Sequence, residues 1–199
     1  ELRQGLDVLG AADDCRSNLA ACTTGGAEPP ARIEQDPTPT FVRAELAAEY
    51  RPAPLLALGF DLDAQYSASP LPAFEEFAAG QYSIGRGYDA GAVIGDSGFG
   101  ARFEMGYGSL VPTSLDDLAT QPFVFIDYAR AWNEDPSLAL NDSEELVSAG
   151  VGLRFARGAN VQGDFVVAVP LRTLDFQTSR NDVRFLFSIT ARLLPWRTS

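Results

Sequence analysis

The feature that most constrains the fold is an alternation of apolar and polar side chains that recurs along almost the whole chain. In residues 56–66, the even positions carry Leu, Leu, Phe, Leu, Ala and Tyr, and the odd positions are small, acidic or amide residues. A period of two places successive side chains on opposite faces of a β-strand. We therefore predict about eight strands, at residues 2–9, 42–51, 56–66, 99–110, 123–132, 146–155, 161–171 and 183–193.

The predicted strands have the length and the faces of membrane-spanning strands. Each is close to the 9–11 residues that cross a bilayer at a tilt. A soluble β-sandwich also alternates, but the polar faces here mix Gly with Arg, Asp and Glu, as the lining of a wet lumen would. Aromatic residues lie near strand ends, where interfacial girdles belong: Tyr50, Tyr66, Tyr107, Trp132, Phe155 and Trp196. We predict an all-β fold, a transmembrane antiparallel β-barrel whose apolar faces contact outer-membrane lipid.

Composition excludes several classes of function. The net charge of -12, with no basic stripe, argues against nucleic-acid binding. All 15 basic residues are Arg, so Ser-His-Asp, Cys-His and Ser-Lys arrangements cannot form, and neither can His-based zinc sites. Asp61 and Asp63 share a strand face, but nothing supplies the apolar pocket that a catalytic acid needs. We predict no enzyme activity, no metal site and no cofactor.

The two cysteines, Cys15 and Cys22, lie in a polar segment rich in Gly and Pro. They are either two free thiols or a local disulfide. We favour the disulfide, because the predicted topology places this segment outside the cell, where thiols oxidise.

The connections between predicted strands differ strongly in length. Residues 10–40 and 68–97 form two long loops, whereas residues 51–54 and 157–160 form tight turns. In an up-and-down sheet both long loops share one end, and both turns lie at the other, which is typical of outer-membrane barrels. The connections near 112–121 and 134–144 are similar in length and weaken this asymmetry. Residue 1 is Glu, and residues 2–9 already alternate, so we expect the chain to be part of a longer protein.

The loop at about 68–97 carries Arg86 between Gly85 and Gly87, followed by Tyr88. A hairpin does not need a connection of about thirty residues. Folding back into the lumen would shelter the loop's aromatic rings and bring Arg86 to an acidic inner wall. The two glycines would let the backbone turn tightly around the arginine.

Asp127 is the predicted partner of Arg86, in a bidentate, charge-assisted pair. On that strand Phe123 and Phe125 share the face of Asp127 and would point inward beneath the loop. The alternative is a solvated arginine in a flexible loop. Arg102 and Glu104 share one face of the preceding strand, either as part of the network that holds the loop or as ordinary lining charges.

These residues resemble the sequence pattern of the two-partner-secretion transporters, the haemolysin activation and secretion proteins of Gram-negative outer membranes. The resemblance rests on Arg86-Gly-Tyr88 with the preceding Gly80-Gln-Tyr-Ser83, on Gly95-Asp96, on Arg102-Phe-Glu104 and on Phe123-Val-Phe-Ile-Asp127. Gly85 stands where many members have Val, which leaves the subfamily open.

The resemblance implies a sixteen-stranded barrel preceded by periplasmic domains that are absent from this chain. The Arg-Gly-Tyr loop would be the sixth extracellular loop, between strands eleven and twelve. It lies between our third and fourth predicted strands, so residues 1–199 would be the last eight strands. The family also implies that Arg86 and Asp127 hold the loop tip.

The implied function is translocation of a secreted exoprotein, of haemolysin or adhesin type, through a monomeric barrel in the outer membrane. The alternatives are a barrel-assembly factor of the same superfamily, a passive porin-like barrel and a soluble β-sandwich binding module.

Overall fold

The computed structural model of the chain describes residues 1–8, 13–16, 22, 32–82, 84–114, 117–134, 143–158, 160–174 and 182–192. These residues contain ten strands: β1 (Leu2–Gln4), β2 (Thr40–Ala53), β3 (Leu56–Ser67), β4 (Phe77–Ala79), β5 (Val93–Gly95), β6 (Ser97–Tyr107), β7 (Leu118–Trp132), β8 (Ser143–Arg157), β9 (Val161–Pro170) and β10 (Arg184–Ala191). Within these residues, no helix has the length and hydrophobicity needed to span a membrane.

Eight of the strands form one antiparallel sheet in the order β1-β2-β3-β6-β7-β8-β9-β10. The all-β, antiparallel part of the prediction is confirmed. The described strands do not close into a barrel, because β1 and β10 lie at opposite edges of the sheet. The other two strands, β4 and β5, form a hairpin inside the connection between β3 and β6.

The predicted strand boundaries agree with the structure to within three residues, except for the first strand and for the strand predicted at 123–132, which begins at Leu118. The first strand ends at Gln4 rather than at residue 9. The N–H of Gly5 donates to the carbonyl of Pro39, and proline has no N–H with which to return the bond. The end of the last predicted strand, at residue 193, and the girdle residue Trp196 lie outside the described residues.

The order of the sheet separates its connections into two ends. The connections that follow β1, β3, β7 and β9 lie at one end, which we call the loop end. The connections that follow β2, β6 and β8 lie at the opposite, turn end. Both long loops are therefore at the loop end, and both tight turns are opposite them.

The two faces of the sheet have different surroundings. On the outward face, Phe60, Phe103 and Ile126 are cross-strand neighbours and are 38–48% exposed. The described residues include no second sheet against this face. On the inward face of β7, Phe123 and Phe125 are buried, together with Asp127, Ala129 and Ala131. The connection between β3 and β6, which we call the inner loop, covers this inward face through the cluster of Phe77, Ala79, Ile84, Tyr88, Val93, Ala129, Ala131, Leu146 and Leu174.

Candidate functional site: the seat of the inner loop

The tip of the inner loop is a tight backbone structure. The N–H of Gly80 donates to the carbonyl of Ile84, and the N–H of Gln81 donates to that of Tyr88. Gly85 has φ of 101° and Gly80 has φ of 136°, values that residues with a Cβ rarely adopt. Glycine at these positions allows the chain to reverse direction and present Arg86 to the sheet.

Arg86 lies against Asp127 of β7. Nε donates to Oδ2 of Asp127 at 3.1 Å and Nη2 donates to Oδ1 at 2.9 Å, which is a bidentate geometry. The backbone N–H groups of Gly85 and Arg86 donate to the same Oδ2 at 3.1 and 3.0 Å. The hydroxyl of Ser148 on β8 also donates to it, at 3.3 Å. Asp127 is fully buried and Arg86 is 4% exposed, so this carboxylate holds both the side chain and the backbone of the tip.

Glu104 of β6 is a second acidic partner of the tip. Arg86 Nη1 donates to Glu104 Oε2 at 2.7 Å, and Arg154 Nη2 of β8 donates to Oε1 at 2.6 Å. The network therefore contains two guanidinium groups and two carboxylates, which balances its formal charge. Such balance is what a buried ionic group requires, because an unpaired charge away from water is costly.

Two aromatic rings of β7 support the arginines of this network. The guanidinium carbon of Arg86 lies 3.4 Å from the centroid of Phe125, and that of Arg154 lies 4.1 Å from the centroid of Phe123. Rings facing a cation stabilise it electrostatically. Phe123 and Phe125 thus point inward beneath the loop and contact the cations as well as covering apolar surface.

The other residues of the predicted network have defined partners. Arg102 of β6 pairs with Asp61 of β3, with Nε donating to Oδ2 at 2.8 Å. In register, Arg102 lies between Asp61 and Asp127. Cys15 and Cys22 are joined by a disulfide. Among the described residues, no group of three or more His, Cys, Asp and Glu side chains could hold a metal ion.

Tyr88, which is fully buried, connects the inner loop to the loop end of β8 and β9. Its hydroxyl lies 2.6 Å from the carbonyl oxygen of Arg172 and 2.9 Å from that of Val147, and it accepts from the N–H of Arg172 at 3.1 Å. The ladder between β8 and β9 ends at the pair Ser148 and Pro170. The tyrosine hydroxyl therefore bridges the segments that flank β8 and β9 just beyond their last paired residues.

Replacing Tyr88 with phenylalanine is expected to loosen the inner loop, because the N–H of Arg172 loses a partly buried acceptor. A lost buried acceptor costs about 1–3 kcal/mol, so protease cleavage within the loop should become roughly tenfold faster. Tyr82→Phe is the matched control, because the Tyr82 hydroxyl bonds to Phe187 from a side chain that is 48% exposed. Equal cleavage rates for the two variants would contradict this role of Tyr88.

Several contributors were not anticipated from the sequence. Arg154, Ser148 and the hydroxyl contacts of Tyr88 complete the site, and each comes from β8 or from the chain just after β9. Alternation along β8 could have indicated that Arg154 points inward. Arg154 lies two positions after Gly152, which is paired with the inward Phe123, and residues two apart on a strand share a face. No local pattern indicates that Ser148 lies opposite Asp127, because that pairing depends on the register of β7 with β8.

The arrangement holds a segment of the chain against a polar wall. An antiparallel sheet with one exposed apolar face and a charged loop buried on the other face has the features of an outer-membrane β-protein. A comparison with family models matches residues 1–155 to the haemolysin secretion/activation protein family ShlB/FhaC/HecB. The chain belongs to this family, whose members are two-partner-secretion transporters of Gram-negative outer membranes. No individual curated protein matches the chain.

Proposed function

We propose that this chain is the C-terminal, eight-stranded part of an outer-membrane barrel that translocates a partner exoprotein. The exoprotein arrives unfolded from the periplasm and crosses along the polar inner wall, without nucleotide or cofactor. The inner loop, held by Arg86 on Asp127 and Glu104, blocks or gates this path and must shift when the exoprotein passes. The observation that carries the proposal is the burial of a charged loop tip on the inward face of a sheet whose outward face is apolar.

Lipid is the occupant that best fits the outward face. On this face the cross-strand row Leu58, Met105, Val124, Val151 and Val167 carries only apolar side chains. Tyr66 lies toward the loop end of this face, and Tyr50 and Tyr107 lie toward the turn end; each is 62–67% exposed. Two aromatic borders on either side of an apolar band match the girdles of membrane barrels.

Introducing arginine at Val124, near the middle of β7, should therefore impair insertion of the full transporter. A cation at the bilayer midplane of a barrel costs about 2–4 kcal/mol. The control is Ala47→Arg, because Ala47 is opposite Asp61 and lies on the inward face. We expect the folded outer-membrane fraction to fall several-fold for Val124→Arg only, measured by electrophoretic mobility without heating. Equal yields of both variants would argue against lipid on this face.

Translocation is tested by deleting the full-length transporter and comparing the proteins at the cell surface and in the medium with those of the parent strain. We expect one large exoprotein to disappear, with its fragments in the periplasm, and complementation to restore it. The abundance of other outer-membrane barrels should stay unchanged. A general loss of those barrels would instead support a role in barrel assembly, and an unchanged exported set would argue against secretion.

A further inference from the structure

We propose that Arg32 and Asp96 form a second anchor, which holds the base of the inner loop at the loop end of the sheet. They are positioning residues, and their role in secretion rests on the proposed function. The first anchor, at Arg86, lies on the sheet wall. The second ties the inner loop to the connections that precede β2 and follow β7, so it joins three separate connections.

The second anchor centres on the carboxylate of Asp96, which is fully buried. Oδ1 accepts from Arg32 Nη1 at 2.7 Å and from the N–H of Leu71 at 2.7 Å. Oδ2 accepts from the N–H of Glu134 at 2.9 Å. The carbonyl of Asp96 accepts from Nε2 of Gln65, on β3, at 3.1 Å. One residue therefore bonds to four segments that are distant in sequence.

Arg32 supplies positive charge to a group of acids at this end. Its Nη1 also donates to Glu76 Oε1 at 2.9 Å, and its Nε lies 3.9 Å from Oε2 of Glu34. Burial raises the pKa of Glu76; Arg32 opposes this shift and Asp96 adds to it. Removing the Arg32 guanidinium would leave Asp96 and Glu76 close together without this cation between them.

The base of the loop is also held closely by backbone contacts. Gly95, just before Asp96, approaches Trp132 so closely that an added Cβ would lie 2.6 Å from its carbonyl oxygen. The hairpin of β4 and β5 is therefore docked on the end of β7. Arg86 uses partners on β6 and β7, whereas Asp96 uses the connections at the loop end and β3, so the two anchors share no partner. Movement of the tip can then leave the base in place.

The test is the labelling rate of a buried cysteine in the full transporter on intact cells, with a membrane-impermeant maleimide. Ala79→Cys places the thiol on β4 at a position that is 3% exposed. Cys15 and Cys22 form a disulfide and do not react with the reagent. We combine this reporter with Arg32→Met, with Arg32→Lys and with Asp96→Asn. The matched control is Glu34→Gln, which alters the more distant neighbour of Arg32. Only protein that migrates as folded barrel without heating is scored.

Loss of a charge-assisted bond to a buried carboxylate should raise the labelling rate about tenfold to a hundredfold for Arg32→Met and for Asp96→Asn. Arg32→Lys should restore part of the protection, and Glu34→Gln should label as the parent does. Adding Arg86→Ala to Arg32→Met should multiply the two effects, since the anchors share no partner. Parental labelling rates for both Arg32→Met and Asp96→Asn, or no further effect of Arg32→Met once Arg86→Ala is present, would overturn the second anchor. Labelling needs no exoprotein, so this result is independent of whether the chain secretes one.

Discussion

Replacing Arg86 with alanine is expected to detach the tip of the inner loop and to lower exoprotein secretion by about tenfold or more, while the barrel still assembles. The change leaves Asp127 fully buried without its bidentate partner and removes one of the two arginines on Glu104. Breaking a buried ion pair by removing one member costs about 3–5 kcal/mol, which is enough to reverse the balance between the held and detached tip. A detached tip carrying Tyr82 would then obstruct the lumen. Secretion is measured as exoprotein in the medium relative to folded transporter.

Three further variants make this prediction specific. Asp127→Ala should match Arg86→Ala, because it removes the acceptor of both the side chain and the backbone of the tip. Arg86→Lys should recover only part of the secretion, since an ammonium cannot make the same fork. Arg184→Ala is the control, because its pair with Asp89 has side chains 27% and 78% exposed, and exposed pairs contribute little. Normal secretion by both Arg86→Ala and Asp127→Ala would show that the pair is irrelevant to transport.

Gly87→Ala should reduce secretion for a steric reason, with every charge of the site retained. An added Cβ would lie 2.8 Å from the backbone nitrogen of Pro170, from Cβ of Ser148 and from the backbone carbon of Val169. Two of these atoms belong to the backbone of β9, which the ladder with β8 holds in register. Forcing a methyl group into a packed site costs about 1–3 kcal/mol, so we expect a roughly tenfold loss of secretion.

The control for this variant is Gly59→Ala on β3. There the added Cβ would meet Cβ of Glu104 at 3.6 Å, an ordinary contact distance. Gly59→Ala should secrete as the parent does and fold to the same yield. If Gly87→Ala behaves in the same way, the close approach of the tip to β8 and β9 is not needed for function.

Much of the sheet was predictable, because alternation is a local signal that needs no knowledge of partners. Residues 56–66 alternate without interruption, and the strand there spans Leu56–Ser67. The face shared by Phe123, Phe125 and Asp127 followed from the same parity, and all three side chains are buried. The hairpin of β4 and β5 was missed, because strands of three residues are too short to show a period of two.

The residues that surround Arg86 and Asp127 were less predictable than these two residues themselves. Arg86 and Asp127 are predictable because a glycine-flanked arginine and an inward acid are unusual in their local sequence. Arg154 and Ser148 reach them through the register of β7 and β8, which single residues do not encode. Arg32 and Asp96 lie 64 residues apart in the sequence, and no local pattern links an arginine in one long connection to an acid at the end of another.

The strand order of the sheet follows the order of the chain closely, and this bears on the order of steps during assembly. Among the described strands, every neighbouring pair in the sheet except β3 and β6 is also consecutive in the sequence. Each such pair can form as soon as both of its strands are present. The tip of the inner loop, however, bonds to Asp127 and to the carbonyl groups of Val147 and Arg172, which follow their partners in the tip by 41 to 84 residues. The wall must therefore exist before the tip can dock on it. Docking of the tip therefore follows the pairing of β7, β8 and β9.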